Sequence, residues 1–132
     1  MTRVVVPVRY PLSAHSTRTL ERAVAVTDEH NANLTILHVN LYQSGRKVTR
    51  TDLKHAVEEA VGFLPNTRYV VREGFLVEET ILNEVAAERA DIVVIGRKQV
   101  SRWRDTIRNL VGDPDIESYL REELDAKIVT AE

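Results

Sequence analysis

The stretch Asp91-Ile92-Val93-Val94-Ile95-Gly96, followed by Arg97-Lys98-Gln99, decides the fold. Four branched apolar residues in a row place apolar side chains on both faces of a strand. A strand of that kind belongs inside a parallel sheet covered by helices on both sides. A glycine closing such a strand is where open α/β sheets take ligands, because backbone can approach a phosphate with no Cβ in the way. The residues after Gly96 are basic and poor in glycine, so the scaffold of a nucleotide-binding domain is present without its full equipment.

Working outward, strand and helix patterns alternate along the whole chain. Val4-Val5-Val6-Pro7-Val8 reads as a central strand, with Pro7 near its end because it lacks an N–H. Ser13 and Ser16 mark a helix start; Leu20, Ala23, Val24 and Thr27 recur at helical spacing, and Asn31 suits a left-handed helix end. Leu34 to Val39 is the second strand, and Asn40 to Val48 a polar connection. Thr49-Arg50-Thr51-Asp52 resembles a capping box, and Leu53, Ala56, Val57, Ala60, Val61 and Leu64 continue it as a stripe expected to bury against a sheet until Pro65-Asn66. Tyr69-Val70-Val71 is a third strand, Gly74 a breaker, and Glu78 to Arg89 a third helix with Glu79, Glu84, Glu88 and Arg89 outward. A last helix is expected from Asp113 with Pro114 in its first turn, and Lys127 to Thr130 is a fifth strand. The expected fold is α/β: a doubly wound five-stranded parallel sheet sandwiched by helices, in one domain over residues 1–132.

Composition narrows the function classes. The chain has 132 residues, 43% hydrophobic and 29% charged, with a formal charge of −2. Those values suit a compact domain and give no field that would gather nucleic acid. No apolar run reaches membrane length and no secretory leader is visible, so a soluble cytoplasmic protein with no membrane partner is expected. The absence of cysteine excludes disulfides, thiolate zinc sites and thiol nucleophiles. None of the 4 histidines pairs at metal spacing or sits near a nucleophile, and Ser13, Ser16 and Thr49 read as helix caps. No metal site and no catalytic residue are expected, and the reading is of a protein that is not an enzyme.

Related folds can be tested against the residues. A dinucleotide-binding fold needs G-x-G-x-x-G after the first strand, where this chain has Arg9-Tyr10-Pro11-Leu12. A phosphate receiver needs acids after the first strand and an aspartate after the third, where it has Arg9 and Glu73-Gly74. No P-loop is present. The chain does resemble a universal stress protein domain of the UspA type. The resemblance rests on Val5-Val6-Pro7-Val8, on Thr19-Leu20-Glu21-Arg22-Ala23-Val24, and on Leu37-His38-Val39. It continues through Ile81 to Ala90 into Ala90-Asp91-Ile92-Val93-Val94-Ile95-Gly96 and ends in Lys127-Ile128-Val129. Each piece is weak alone; in order over nearly the full length they are specific.

The resemblance implies a Rossmann-like doubly wound sheet and frequent dimers, in a family divided between ATP binders and proteins that bind no nucleotide. It places the ligand crevice at Pro7, Val8, Arg9, Val39, Ile95, Gly96, Arg97, Lys98 and Gln99. The family's ATP pattern is Gly, two residues, Gly, nine residues, then Gly with Ser or Thr, plus an Asp ending the first strand. Gly96 fits the first position, Gln99 replaces the second glycine, the third falls on Asn109 or Pro114-Asp115, and Arg9 replaces the aspartate. Asp113 and Asp115 would also crowd a phosphate-binding helix end. The motif is degenerate, so no cofactor is expected and the chain reads as a non-catalytic, dimeric stress-response module. The alternative is an ATP- or AMP-binding sensor using an Arg-rich loop.

Three further features stay open between structural and functional readings. Arg97, Lys98, Arg102, Arg104 and Arg108, opposed only by Asp105, form either a solvated loop or an anion site with Arg9 across from it. Ser101 to Gly112 reads as a short inserted helix whose Trp103, Ile107, Leu110 and Val111 share one face, either core packing or a lid or protein-partner face. Nucleic-acid binding through Arg102, Trp103, Arg104 and Arg108 is disfavoured by the single aromatic. Finally, Lys127, Ile128, Val129 and Thr130 should be a sheet edge that pairs antiparallel with a second copy, giving a homodimer.

Overall fold

The structure is a computed structural model that describes residues 2–111 and 126–131, and within its last described helix the side chains of residues 104 and 106–111 are not described. The described residues form, in chain order, β1 (Arg3–Pro7), α1 (Ala14–Glu29), β2 (Asn33–Leu41), α2 (Arg50–Val61), β3 (Thr67–Gly74), α3 (Val77–Glu88), β4 (Ile92–Gly96), α4 (Arg97–Val111) and β5 (Lys127–Ala131). The strands form one all-parallel sheet in the order β3-β2-β1-β4-β5.

Alternation along the strands builds two cores. Val4, Val6, Leu34, Ile36, Ile92 and Val94 face one side, where Leu20, Ala23 and Val26 of α1 and Leu53 and Val57 of α2 cover them. Val5, Leu37, Val39, Val93 and Ile95 face the other, against Ile81, Leu82 and Val85 of α3 and Trp103 of α4. A side-chain period of two feeds both layers from the same strands. This is why the central runs are apolar throughout. Trp103 is fully buried, so of the readings open for it the core one holds. The other residues expected on that face, Ile107, Leu110 and Val111, have side chains outside those described.

The helix starts match the caps read from sequence. Ser13 caps α1, its hydroxyl accepting the Ser16 amide at 3.1 Å. The capping box before α2 is complete, with Asp52 Oδ2 accepting the Thr49 amide at 3.0 Å and Thr49 Oγ1 accepting the Asp52 amide at 3.1 Å. Asn31 is left-handed, with φ 49°. Three expectations need correction. The α2 stripe buries only Leu53 and Val57 fully, Ala60 is exposed, and the helix stops at Gly62 (φ 84°) before Pro65. A helix lying over the edge pair of strands has less sheet to cover than the stripe implied.

Glu84 and Glu88, expected to point outward, are buried instead. Arg72 and Arg68 on neighbouring β3 reach back to them, so the carboxylates are paired rather than solvated. Third, no loop precedes a short helix at Ser101; α4 begins directly at Arg97. The helix expected from Asp113 lies outside the described residues.

Candidate functional site

In this strand order β1 is flanked by β2 on one side and β4 on the other, so the crevice beyond the carboxyl ends of β1 and β4 is the switch point where such sheets bind ligands. Two cavities open there. The first encloses about 470 Å³ and the second about 380 Å³.

The first cavity takes Pro7 and Arg9 from the end of β1, and Ser13, His15, Ser16, Arg18 and Thr19 from the start of α1. Gly96, Arg97, Lys98, Gln99 and Arg102 come from the β4–α4 junction, and Ala131 from β5. Arg18 Nη2 donates to His15 Nδ1 at 2.6 Å. Arg102 Nε lies 3.2 Å from Glu78 Oε1, tying α4 to α3. Glu78 is the opposing acid that the one-dimensional reading of the basic run missed. The side chains of Arg104 and Arg108 are not described.

The second cavity has more aliphatic and aromatic side chains in its lining. Val8 and Tyr10 meet Leu37 and Val39 of β2, with Val48, Val77 and Ile81 around them. His38 Nδ1 donates to the Val8 carbonyl at 3.0 Å and Tyr10 lies edge-on to its ring at 6.3 Å, so this histidine holds the β1–β2 rim in place. The Arg46 guanidinium covers the Tyr10 ring at 5.5 Å from its centre. Asn40 clasps Val48 from both ends of its carboxamide, at 2.8 and 3.1 Å, which folds the 41–48 connection over the rim. Pro7, Arg9, Gln99 and Arg102 border both cavities.

The expected site residues are therefore largely gathered together. Pro7, Arg9, Gly96, Arg97, Lys98 and Gln99 line the first cavity, and Val8 and Val39 the second. Ile95 lines neither; it is fully buried in the sheet core. Sequence reasoning missed the part played by α1, whose His15 and Arg18 complete the basic wall. The signal was their position within five residues of the Ser13 cap, at the same rim as Gly96.

Gln99 has a role that spacing alone did not suggest. Its Oε1 accepts the Gly96 amide at 2.9 Å, the third helical residue reaching back to the residue before the helix. One backbone donor at the start of α4 is therefore already engaged. A Cβ on Gly96 would come within 3.2 Å of Thr19 Oγ1, so β4 packs tightly on α1 at this glycine. No group of acidic or imidazole side chains among the described residues could hold a metal ion. No helix among them is long and apolar enough to cross a membrane.

No family model matches the sequence, and no curated protein matches it. Solved structures do. The chain is similar to the universal stress protein UspA from Lactobacillus plantarum, with 17% identity and a TM-score of 0.60 over 99% of this chain and 97% of that one. It is similar to a universal stress protein from Archaeoglobus fulgidus at 12% identity and TM-score 0.59, covering 100% and 94%. A universal stress protein solved in complex with cAMP matches at 17% identity and TM-score 0.56, over 97% and 96%. The fold class is thus a doubly wound parallel α/β sheet. Within that class, the chain has the universal stress protein fold.

Proposed function

We propose that the chain is a universal stress-type module of a single domain, cytoplasmic and homodimeric, that acts by binding a partner and catalyses no reaction. In this reading its nucleotide site is degenerate. The observation that carries it is the 2.9 Å bond from the Gly96 amide to Gln99, which closes the backbone donor at the end of β4. Arg9 at the first-strand position removes the acid of the ATP pattern as well. Calorimetric titration with ATP, ADP and AMP, with and without Mg²⁺, tests the reading. No saturable heat at micromolar nucleotide is expected; micromolar ATP affinity, or ATP copurifying with the protein, overturns it.

A second reading draws on the basic wall and on the relative solved with cAMP. Here an adenine nucleotide is held by arginine side chains in place of backbone amides. Including cAMP in the same titration separates the two.

A further inference from the structure

We infer that the first cavity is a receptor for a compact polyanion without a nucleobase, a short chain of phosphates being the fitting chemistry. This deepens the degenerate-site reading and rests on it, since it takes the Gly96 amide as closed and asks what the side chains alone can hold.

The cavity's size lies in the range of small-molecule sites, which is about 300–1,000 Å³. Arg9, Arg18 and Lys98 arrive at it from three separate segments: the turn after β1, helix α1 and the first turn of α4. None of the three forms an ion pair with a described carboxylate. Arg18 Nη2 donates to His15 Nδ1. Among the described residues no Asp or Glu lines the cavity. Gathering like charges around one hollow costs Coulomb energy that an anion removes, and guanidinium forks match phosphate oxygens in pairs. Ser16 and Thr19 add hydroxyls on the same wall. Arg102, committed to Glu78, is not needed.

The base is excluded by the partition of the crevice. The apolar walls that would sandwich a purine belong to the second cavity. Pro7, Arg9, Gln99 and Arg102 form the border that the two share, and the Arg46 guanidinium covers the Tyr10 ring of the second. A ligand that is all charge fits the first cavity without crossing that partition.

Inorganic tripolyphosphate, titrated by calorimetry at low ionic strength beside ATP, tests this. Saturable tripolyphosphate binding is expected, weakened by added salt, with ATP binding no more tightly. The double variant R18Q/K98Q should lose at least about tenfold in affinity, the scale of a lost charge-assisted contact. R22Q, which removes an exposed α1 charge outside the cavity, should leave it unchanged. Unaltered melting temperatures of the variants exclude misfolding. No heat with tripolyphosphate, or equal losses in R22Q and R18Q/K98Q, overturns the polyanion site and leaves the degenerate-site reading standing. ATP binding about tenfold tighter than tripolyphosphate means that the base is read, and overturns both.

Discussion

Arg68 of β3 pairs with Glu88 of α3 across the sheet-to-helix contact, with its own side chain 56% exposed and that of Glu88 only 4%. Arg72 and Glu84 repeat the arrangement one helical turn earlier, at 2.9 Å. Thr35 donates to the same Glu88 oxygen at 3.4 Å, while Glu88 Oε2 has no partner among the described residues. Burial pushes the Glu88 carboxyl above its ordinary value. Arg68 and Arg3 pull it down, Thr35 assists them, and Glu84 opposes them.

This raised carboxyl sets the sign of a pH dependence. The folded state holds the Glu88 proton to higher pH than the unfolded chain, so this group's contribution to stability falls as pH rises from about 4.5 through the raised folded value. Glu88→Gln should remove that slope and be neutral to about 1 kcal/mol stabilising at neutral pH, because the Arg68 left behind is half in water. Arg68→Ala should cost about 2 kcal/mol there, less than for a fully buried pair. Urea midpoints across the acid range check this; parallel pH profiles for wild type and Glu88→Gln would count against it.

Gly74 ends β3 where a Cβ would overlap the Thr80 hydroxyl, which itself donates to the Leu76 carbonyl at 2.7 Å. Gly74→Ala should destabilise by about 1–3 kcal/mol. Thr80→Ala in the same chain should recover most of that, with a coupling above about 0.5 kcal/mol. Strict additivity in the double-mutant cycle would show that the two sites do not touch.

The Gln99 cap makes a local prediction. Gln99→Ala should cost about 1 kcal/mol and speed hydrogen exchange at the Gly96 amide, while Gln99→Glu keeps an acceptor and preserves protection. Unchanged exchange at Gly96 in Gln99→Ala would sink the capping role.

Assembly can be tested by substitution rather than by deletion. β5 is an edge of the described sheet, and an antiparallel two-fold pairing centred on Val129 sets Ile128 opposite Thr130, on the same face. Thr130→Lys then sets two ammonium groups against the Ile128 side chains and should weaken the dimer, whereas Thr130→Val makes two β-branched pairs and should tighten it. Thr130 is exposed, so the fold should tolerate both. Light scattering over a dilution series reads the result; a wild-type monomer, or no difference between the variants, rejects this interface.

The sequence carried what is set by local order. Val93 and Val94 could only be a doubly buried strand, and Thr49 with Asp52 announced their helix start because capping involves residues three apart. Glu84 and Glu88 looked solvated because their arginines lie 12 and 20 residues away in sequence, on a strand whose position relative to α3 is set only by sheet order. The candidate site was legible in its floor, Gly96 to Gln99, but not in its α1 wall, which depends on how the first helix docks. Gln99 was read only as the residue in place of the second glycine: its cap was invisible because, with no loop before α4, Gln99 sits in the first turn, its carboxamide within reach of the Gly96 amide.

Ala131 lines the basic cavity and lies in register with Gly96, on the same short strand whose outer edge is proposed to meet a second copy. Occupancy and assembly would then share one rigid piece of backbone. Any anion that prefers the cavity as the dimer shapes it must drive association by the same factor by which association improves its own binding. A titration of this protein would accordingly depend on how much protein is in the cell, so that abundance itself becomes one of its inputs.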